Sequence, residues 1–398
     1  MTAADDFGVC GFLWVSCSRL TPCKALDDTC DKPEHICVHH PRCHSAPVCY
    51  PLLMINQQIC PPSNMINTTT TTTSSTIETT SITATSTIMT TSVDTTTTTS
   101  SLRPKDGICA TATWSKVGIT VAGNLTSGST LNRLNRPNGI FIDDNQNIYI
   151  ADTLNDRVVK WKPNVTTGEI VAGGNGKGKE RTHLNSPRDI IVDKAETVYV
   201  TDYSNGRIQR WVKNAYRADT ILNASSPIGV AIDDEGSLYA MSTGSTLLKQ
   251  TKAQGNWTTI GTSMYETTSL FADQKGSIYS VNINNKHVYE LKQNLSKFYV
   301  AVEGSKDVYL NPPFDPYSAI TDQSGDIYVV ERNNHRVTRW KNGAATGPII
   351  AGGSGSGSSS THLYSPSDLA FDHDGNLYVV DSGNHRVQKF TIDKSSCH

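Results

Sequence analysis

From Leu363 to Ile392 (LYSPSDLAFDHDGNLYVVDSGNHRVQKFTI) short apolar runs alternate with turns rich in Asp, Gly and Asn. The runs DLAFD, LYVVD and RVQKFTI, separated by HDGN and SGNH, predict three strands of an antiparallel meander. The same pattern recurs six times. Asp143, Asp193, Asp233, Asp273, Asp322 and Asp372 hold one repeat position, each followed six residues later by Tyr149, Tyr199, Tyr239, Tyr279, Tyr328 and Tyr378. Five of the six Asp residues are also preceded, six residues earlier, by Pro137, Pro187, Pro227, Pro316 and Pro366. A phase kept through six units of roughly 40–50 residues predicts an all-β, six-bladed β-propeller with four strands (a to d) per blade.

The repeat begins out of phase. The segment ATWSKVGITVAGN (112–124) resembles the end of a unit, as in VVKWKPNVTTGEIVAGG and TRWKNGAATGPIIAGG, while the sixth unit stops after its third strand. The N-terminal GITVAG is therefore expected to supply the missing outer strand, which leaves no open edge in the ring. Cys109 precedes that strand and Cys397 follows the last repeat, so ring closure would bring them within disulfide range.

Composition divides the rest of the chain. Of ten Cys residues, eight lie between Cys10 and Cys60, at spacings without a C-x-x-C pair. That argues for a disulfide-stapled module over 1–62 and against a zinc ribbon, although His35, His39, His40 and His44 lie among them. Eight cysteines leave the connectivity open. Residues 63–106 are dominated by Thr and Ser, too poor in apolar material to fold, and are expected to form a disordered, mucin-like linker. The propeller then occupies 107–398. N-glycosylation sequons occur at Asn67, Asn124, Asn164, Asn223, Asn256 and Asn294. With the Cys usage they point to an extracellular or cell-surface glycoprotein. No apolar run approaches the length of a membrane span. The acidic start, MTAADDFGVC, is a poor signal peptide, so the sequence is expected to be an N-terminally incomplete piece or to have its leader upstream.

The hairpins between the second and third strands carry a further signature: DTLNDRV (152–158), DYSNGRI (202–208), ERNNHRV (331–337) and DSGNHRV (381–387). With the upstream P-x-x-[IV], this resembles the NHL repeat, and the region from about 107 to 398 resembles a six-bladed NHL propeller. STGSTLL (242–248) and NINNKHV (282–288) depart from the pattern, losing its Asp and Arg. The residues have a physical reading of their own. Asp152 and Arg157 face each other across a four-residue loop as a charge-assisted pair, and Asn155, Asn205, Asn334 and Asn384 are expected to take the left-handed turn conformation. The set reads as structural.

Candidate chemistry is sparse. DDNQN (143–147) and DHDGN (372–376) lack the Glu that would complete a calcium loop and read as hairpin turns. AGGNGKGK (172–179) and AGGSGSGSS (351–359) lack the order of a phosphate loop and read as connections between units. His183, His335, His362 and His385 fall in connections that emerge at one end of the ring, making them weak candidates for a metal site. NHL propellers include the peptidyl-hydroxyglycine amidating lyases, so the resemblance admits a metal-dependent lyase or hydrolase. It also admits a TRIM-NHL-like ubiquitin-ligase adaptor or RNA binder. That role is disfavoured: residues 107–398 hold 29 of the 35 Lys+Arg and 28 of the 37 Asp+Glu, without a basic field for nucleic acid. No catalytic residue and no cofactor are assigned, and the enzyme question leans towards no. The expected function is an extracellular, non-enzymatic binding or scaffold protein that presents the propeller to a protein or glycan ligand. Arg188, Tyr203, His335 and His385 are its candidate contact residues.

Overall fold

The computed structural model describes residues 107–398, except 243–245, 253–254, 263–266, 294–296, 305–312, 342, 396 and 398, together with the backbone of 35–38 and 48–51. The chain divides into two units, Met1–Asp94 and Thr95–His398. In the first, His35–Val38 pairs antiparallel with Val48–Pro51, setting Cys37 opposite Cys49. The remainder of the expected Cys-rich module and Thr/Ser linker lies outside the described residues.

The second unit is all-β: six four-stranded antiparallel sheets arranged as a propeller. Blade 2 shows the plan, with strand a at Pro187–Val192, b at Val198–Asp202, c at Arg207–Trp211 and d at Asp219–Asn223. The a strands touch in sequence from blade 1 to blade 6 and back to blade 1, forming the wall of an axial channel. Strand b is covered on both faces by neighbouring blades. Each residue of Ile148–Asp152, Ile327–Glu331 and Leu377–Asp381 is buried, and these strands are correspondingly apolar along their length.

The Asp–Tyr spacing has a structural reason. Asp322 opens the a–b turn, and its Oδ1 accepts the backbone N–H of Asp326, while its Oδ2 accepts the hydroxyl of buried Tyr328 at 2.8 Å. Tyr239 donates to Asp233 in the same way at 2.8 Å. One carboxylate therefore closes the turn and satisfies the hydroxyl of a ring packed between blades. The Asp372 carboxylate likewise takes the amides of Asp374 and Asn376, so the calcium-like sequence is a self-satisfied turn.

The ring closes as the phase shift predicts. Ile119–Gly123 is the outer strand of blade 6, pairing Gly123 with Arg386, Ala122 with Val387, Thr120 with Gln388 and Ile119 with Lys389. Cys109 and Cys397 form a disulfide with a Cα–Cα separation of 5.8 Å. Two features of the closure go beyond the sequence expectation. Thr113–Trp114 pairs with Ile392–Asp393 as an extra ribbon. Arg339 of blade 5, 5% exposed, donates to the carbonyls of Ala112 and Cys109 and to Asp326, with its guanidinium over Trp114 and Tyr328. Among the described residues no helix is long and apolar enough to cross a membrane.

Candidate ligand-binding face

The b–c hairpins and d–a connections emerge at one end of the ring, and their local structure explains the hairpin signature. In blade 1, Asp152 Oδ2 accepts Arg157 Nε and Asn155 Nδ2, both at 2.8 Å, and Oδ1 accepts the Asn135 amide at 2.7 Å. Arg157 reaches on to the carbonyls of Ser129, Thr130 and Arg133. The set thus clamps the hairpin to the connection that enters its own blade. Blade 2 repeats the arrangement with Asp202, Asn205 and Arg207, and blade 6 with Asp381, Asn384 and Arg386. In blade 5 Glu331 takes the place of Asp.

The left-handed residue is not the Asn, as the sequence suggests, but the one after it. Asp156, Gly206, His335 and His385 have φ of 51°, 66°, 53° and 59°. Asn sits one step earlier because its amide must reach both the clamp carboxylate and a carbonyl of the d–a connection.

Each of the four histidines has a protein partner. His335 Nδ1 accepts the Ser365 amide of blade 6 at 3.1 Å, and His385 Nδ1 accepts the Arg136 amide leading into blade 1 at 3.1 Å. Asp156 does the same for Ser186 of blade 2 at 2.8 Å. These side chains pin one blade to the next, and burial holds both imidazoles below the usual histidine value, keeping the acceptor nitrogen unprotonated. His183 Nδ1 lies 2.9 Å from the Thr182 hydroxyl and His362 Nδ1 2.7 Å from the Ser359 hydroxyl, each within its own connection. Among the described residues no three His, Cys, Asp or Glu side chains gather as a metal site.

The channel mouth at this end is distinctive in two blades. Arg188, the second residue of strand a in blade 2, lays its guanidinium on the Tyr203 ring, 3.8 Å from the centroid. Arg188 and Tyr203, two of the contact residues expected from the sequence and 15 positions apart, are thus brought together, whereas His335 and His385 lie at blade seams.

Inside the mouth, Asp189 and Asp368 line a channel of about 260 Å³. Asp368 Oδ2 accepts the Ile140 amide of blade 1 at 3.0 Å, its Oδ1 accepts the Ser318 hydroxyl of blade 5 at 2.7 Å, and Asp189 Oδ2 accepts the Val230 amide of blade 3 at 2.9 Å. These two carboxylates join blade seams. Glycine at the matching position of blade 1 makes room for Asp189: a Cβ on Gly139 would sit 3.2 Å from Asp189 Oδ1 and 2.6 Å from the Arg188 carbonyl. Reasoning from the sequence missed both Asp residues. They share one repeat position, two residues after Pro187 and Pro366, which was the signal available.

Burial pushes Asp368 up to about 6, and burial together with the Asp368 charge pushes Asp189 well above the usual carboxylate range. A carboxyl raised on folding stabilises the protein below its unfolded value near 4 and loses that contribution as pH rises through about 6. Stability of Asp368→Asn, measured by urea unfolding from pH 4 to 7.5, is therefore expected to lack a decline of about 1–2 kcal/mol that the unsubstituted chain shows. The comparison is of slopes, since Asn also loses the acceptor for Ile140. Equal slopes would overturn the assignment.

Comparison with known proteins agrees with this architecture. The NHL repeat family model matches residues 363–390. No curated protein sequence gives a match. Among solved structures, a Bacteroides thetaiotaomicron protein of unknown function superposes with a TM-score of 0.56 at 14% identity, over 71% of this chain and 76% of its own. An auxiliary nutrient binding protein from the same organism gives 0.55 at 16% identity, over 69% and 76%. A Xanthomonas campestris gluconolactonase gives 0.50 at 10% identity, over 70% and 98%. At these identities the similarity is one of fold.

Proposed function

With the chain established as an NHL-repeat β-propeller of six blades, we propose that it is a non-enzymatic binding protein of the cell exterior. In this reading residues 1–62 form a disulfide-stapled head, 63–106 a glycosylated Thr/Ser stalk, and the propeller offers its b–c and d–a face to a protein or glycan ligand. The observation that carries the reading is the stacked Arg188–Tyr203 pair at the channel mouth, since Arg and Tyr are among the side chains most enriched at energetic centres of binding surfaces.

Other features support it. The four histidines that would serve a metal-dependent lyase are occupied as acceptors or by neighbouring hydroxyls. The Cys109–Cys397 disulfide fits an oxidising compartment. Asn164 and Asn256 are exposed in c–d turns at the opposite end of the ring, and Asn223 is exposed at the end of an outer strand. Glycans at the c–d positions would leave the mouth open. The similarity to an auxiliary nutrient binding protein fits a binding role on the same scaffold.

The full chain from a secretory host, probed against peptide and glycan arrays, tests the proposal. Arg188→Ala and Tyr203→Ala are expected to weaken the selected ligand at least about tenfold, the size of a hot-spot loss. Asp144→Ala and Lys275→Ala, at the other end of the channel, are expected to leave binding unchanged. Losses confined to the second pair, or stoichiometric bound zinc released by His335→Ala and His385→Ala, would overturn it.

A further inference from the structure

Blades 2 and 5 stand opposite each other in a six-bladed ring, and both carry an Arg–Tyr stack at the mouth. In blade 5 the pair is inverted. Tyr317 occupies the strand-a position that Arg188 holds in blade 2, and Arg332 occupies the hairpin position of Tyr203, with its guanidinium 4.4 Å from the Tyr317 ring centroid. Repeat duplication copies a residue type to the same position; it does not exchange two types between positions. The two stacks therefore arose separately.

Blades 1, 4 and 6 use one or other of these positions differently. Thr153 donates to the Pro187 carbonyl at 2.8 Å, Ser367 to the Asn138 carbonyl at 2.7 Å, and Thr268 to the Tyr317 carbonyl, each joining one blade to the next. The guanidiniums of Arg188 and Arg332, by contrast, make no hydrogen bond or ion pair with any described residue. Stacking fixes the plane of each guanidinium and leaves its N–H edge unpaired, a geometry suited to a carboxylate. Beside blade 2 the connections add further cations, next to the exposed Glu180. Arg136, Lys177 and Lys179 are exposed in the connections entering blades 1 and 2, again without a carboxylate partner among the described residues.

We propose that the mouth is a receptor for an acidic segment of a protein ligand, in which Arg188 and Arg332 each take one carboxylate from opposite sides of the channel. This rests on the binding role proposed above and specifies its ligand. A peptide is favoured over an acidic sugar or single-stranded RNA because the guanidiniums already occupy one face of each of Tyr203 and Tyr317, the two rings of these pairs, which leaves less ring surface there for a sugar or base to stack on. Ile283, 36% exposed at the matching hairpin position of blade 4, adds an apolar contact between the two cations. Arg and Tyr around a small apolar step is the composition of a protein-binding centre.

The test uses the full chain and three fluorescent probes at about 150 mM salt, where exposed charges are screened beyond about 8 Å: a peptide of alternating Glu and Leu, a heparin octasaccharide and oligouridine. Saturable binding of the peptide, tightest of the three, is expected. Arg188→Ala and Arg332→Ala should each weaken it about tenfold and together about a hundredfold, about 1.4 kcal/mol for each tenfold step. Arg188→Lys and Arg332→Lys keep the charge, guard against misfolding as the cause, and should still lose most of the affinity because the planar fork is gone. No peptide binding, binding indifferent to both arginines, or a preference for heparin or oligouridine would overturn the proposal. If array ligands remain sensitive to Arg188 and Tyr203 while the acidic peptide fails, the binding face stands and only its ligand class falls.

Discussion

Replacing Asp381 by Ala in the full chain is expected to lower stability by about 3–5 kcal/mol, the cost of leaving a buried charge without its partner. Asp381 is fully buried, and its carboxylate accepts from Arg386 Nε at 2.8 Å, Asn384 Nδ2 at 2.8 Å, Gln388 Nε2 at 3.1 Å and the Tyr364 amide at 2.7 Å. Ala removes this acceptor from all four donors, and although Asn384 and Gln388 keep carbonyl partners, Arg386, 4% exposed, cannot release its proton or reach water. The clamp also ties the last hairpin to the connection from blade 5, through the carbonyls of Gly357, Ser359 and His362. Asp381→Asn keeps the shape but exchanges one acceptor oxygen for an amide donor, and is expected to fall between. Urea unfolding followed by tryptophan fluorescence measures both. The exposed Leu154→Ala in another hairpin serves as the neutral comparison. A loss below about 1 kcal/mol for Asp381→Ala would mean that the clamp opens to solvent at little cost.

The second large effect concerns ring closure. Joint replacement of Cys109 and Cys397 by Ser is expected to cost about 2–5 kcal/mol, towards the upper end because the bridge spans 288 residues and restricts the unfolded chain strongly. For a propeller of this size that corresponds to a fall in Tm of about 3–8 °C. The bridge lies just beyond the Thr113–Trp114 ribbon, and its N-terminal end is further held by Arg339. Without it, fraying at either terminus exposes the c strand of blade 6, an unpaired edge able to recruit another chain. Scanning calorimetry with and without reductant separates the contributions. The unsubstituted chain should shift down on reduction by more than the double variant does, and aggregation after heating should rise in the variant. Equal transitions would show that strand pairing alone carries the closure.

Much of the fold is legible in the order of residues alone. Short apolar runs between turns mark the strands of blades 1, 2, 5 and 6, and the early GITVAG with no d strand after Phe390 reports closure, because strand pattern and turn chemistry are local properties repeated in register. The clamp is legible in part. Asp152 and Arg157 lie five residues apart, so their pairing follows from a hairpin alone, whereas the three carbonyls that Arg157 reaches lie 24 to 28 residues upstream. The histidines mark the limit of repeat-based reasoning. Shared positions correctly put them at one end of the ring, but their duties at the seams come from contacts such as His385 with Arg136, 249 residues apart.

Residue order is enough to dictate six copies of a short meander, an early strand that completes the last copy, and cysteines 109 and 397 that meet. Those outcomes depend on side-chain alternation, turn residues and counting, all of which act over a few residues or repeat in phase. Which side chains face the axis together follows from the assembled ring. Arg188 and Arg332 are 144 positions apart and belong to different local patterns, and closure of the ring alone sets them on opposite sides of one mouth. The elevation of Asp189 and Asp368 has the same origin, since the burial of both, and the Asp368 charge felt by Asp189, arise only when blades 2 and 6 meet at one channel.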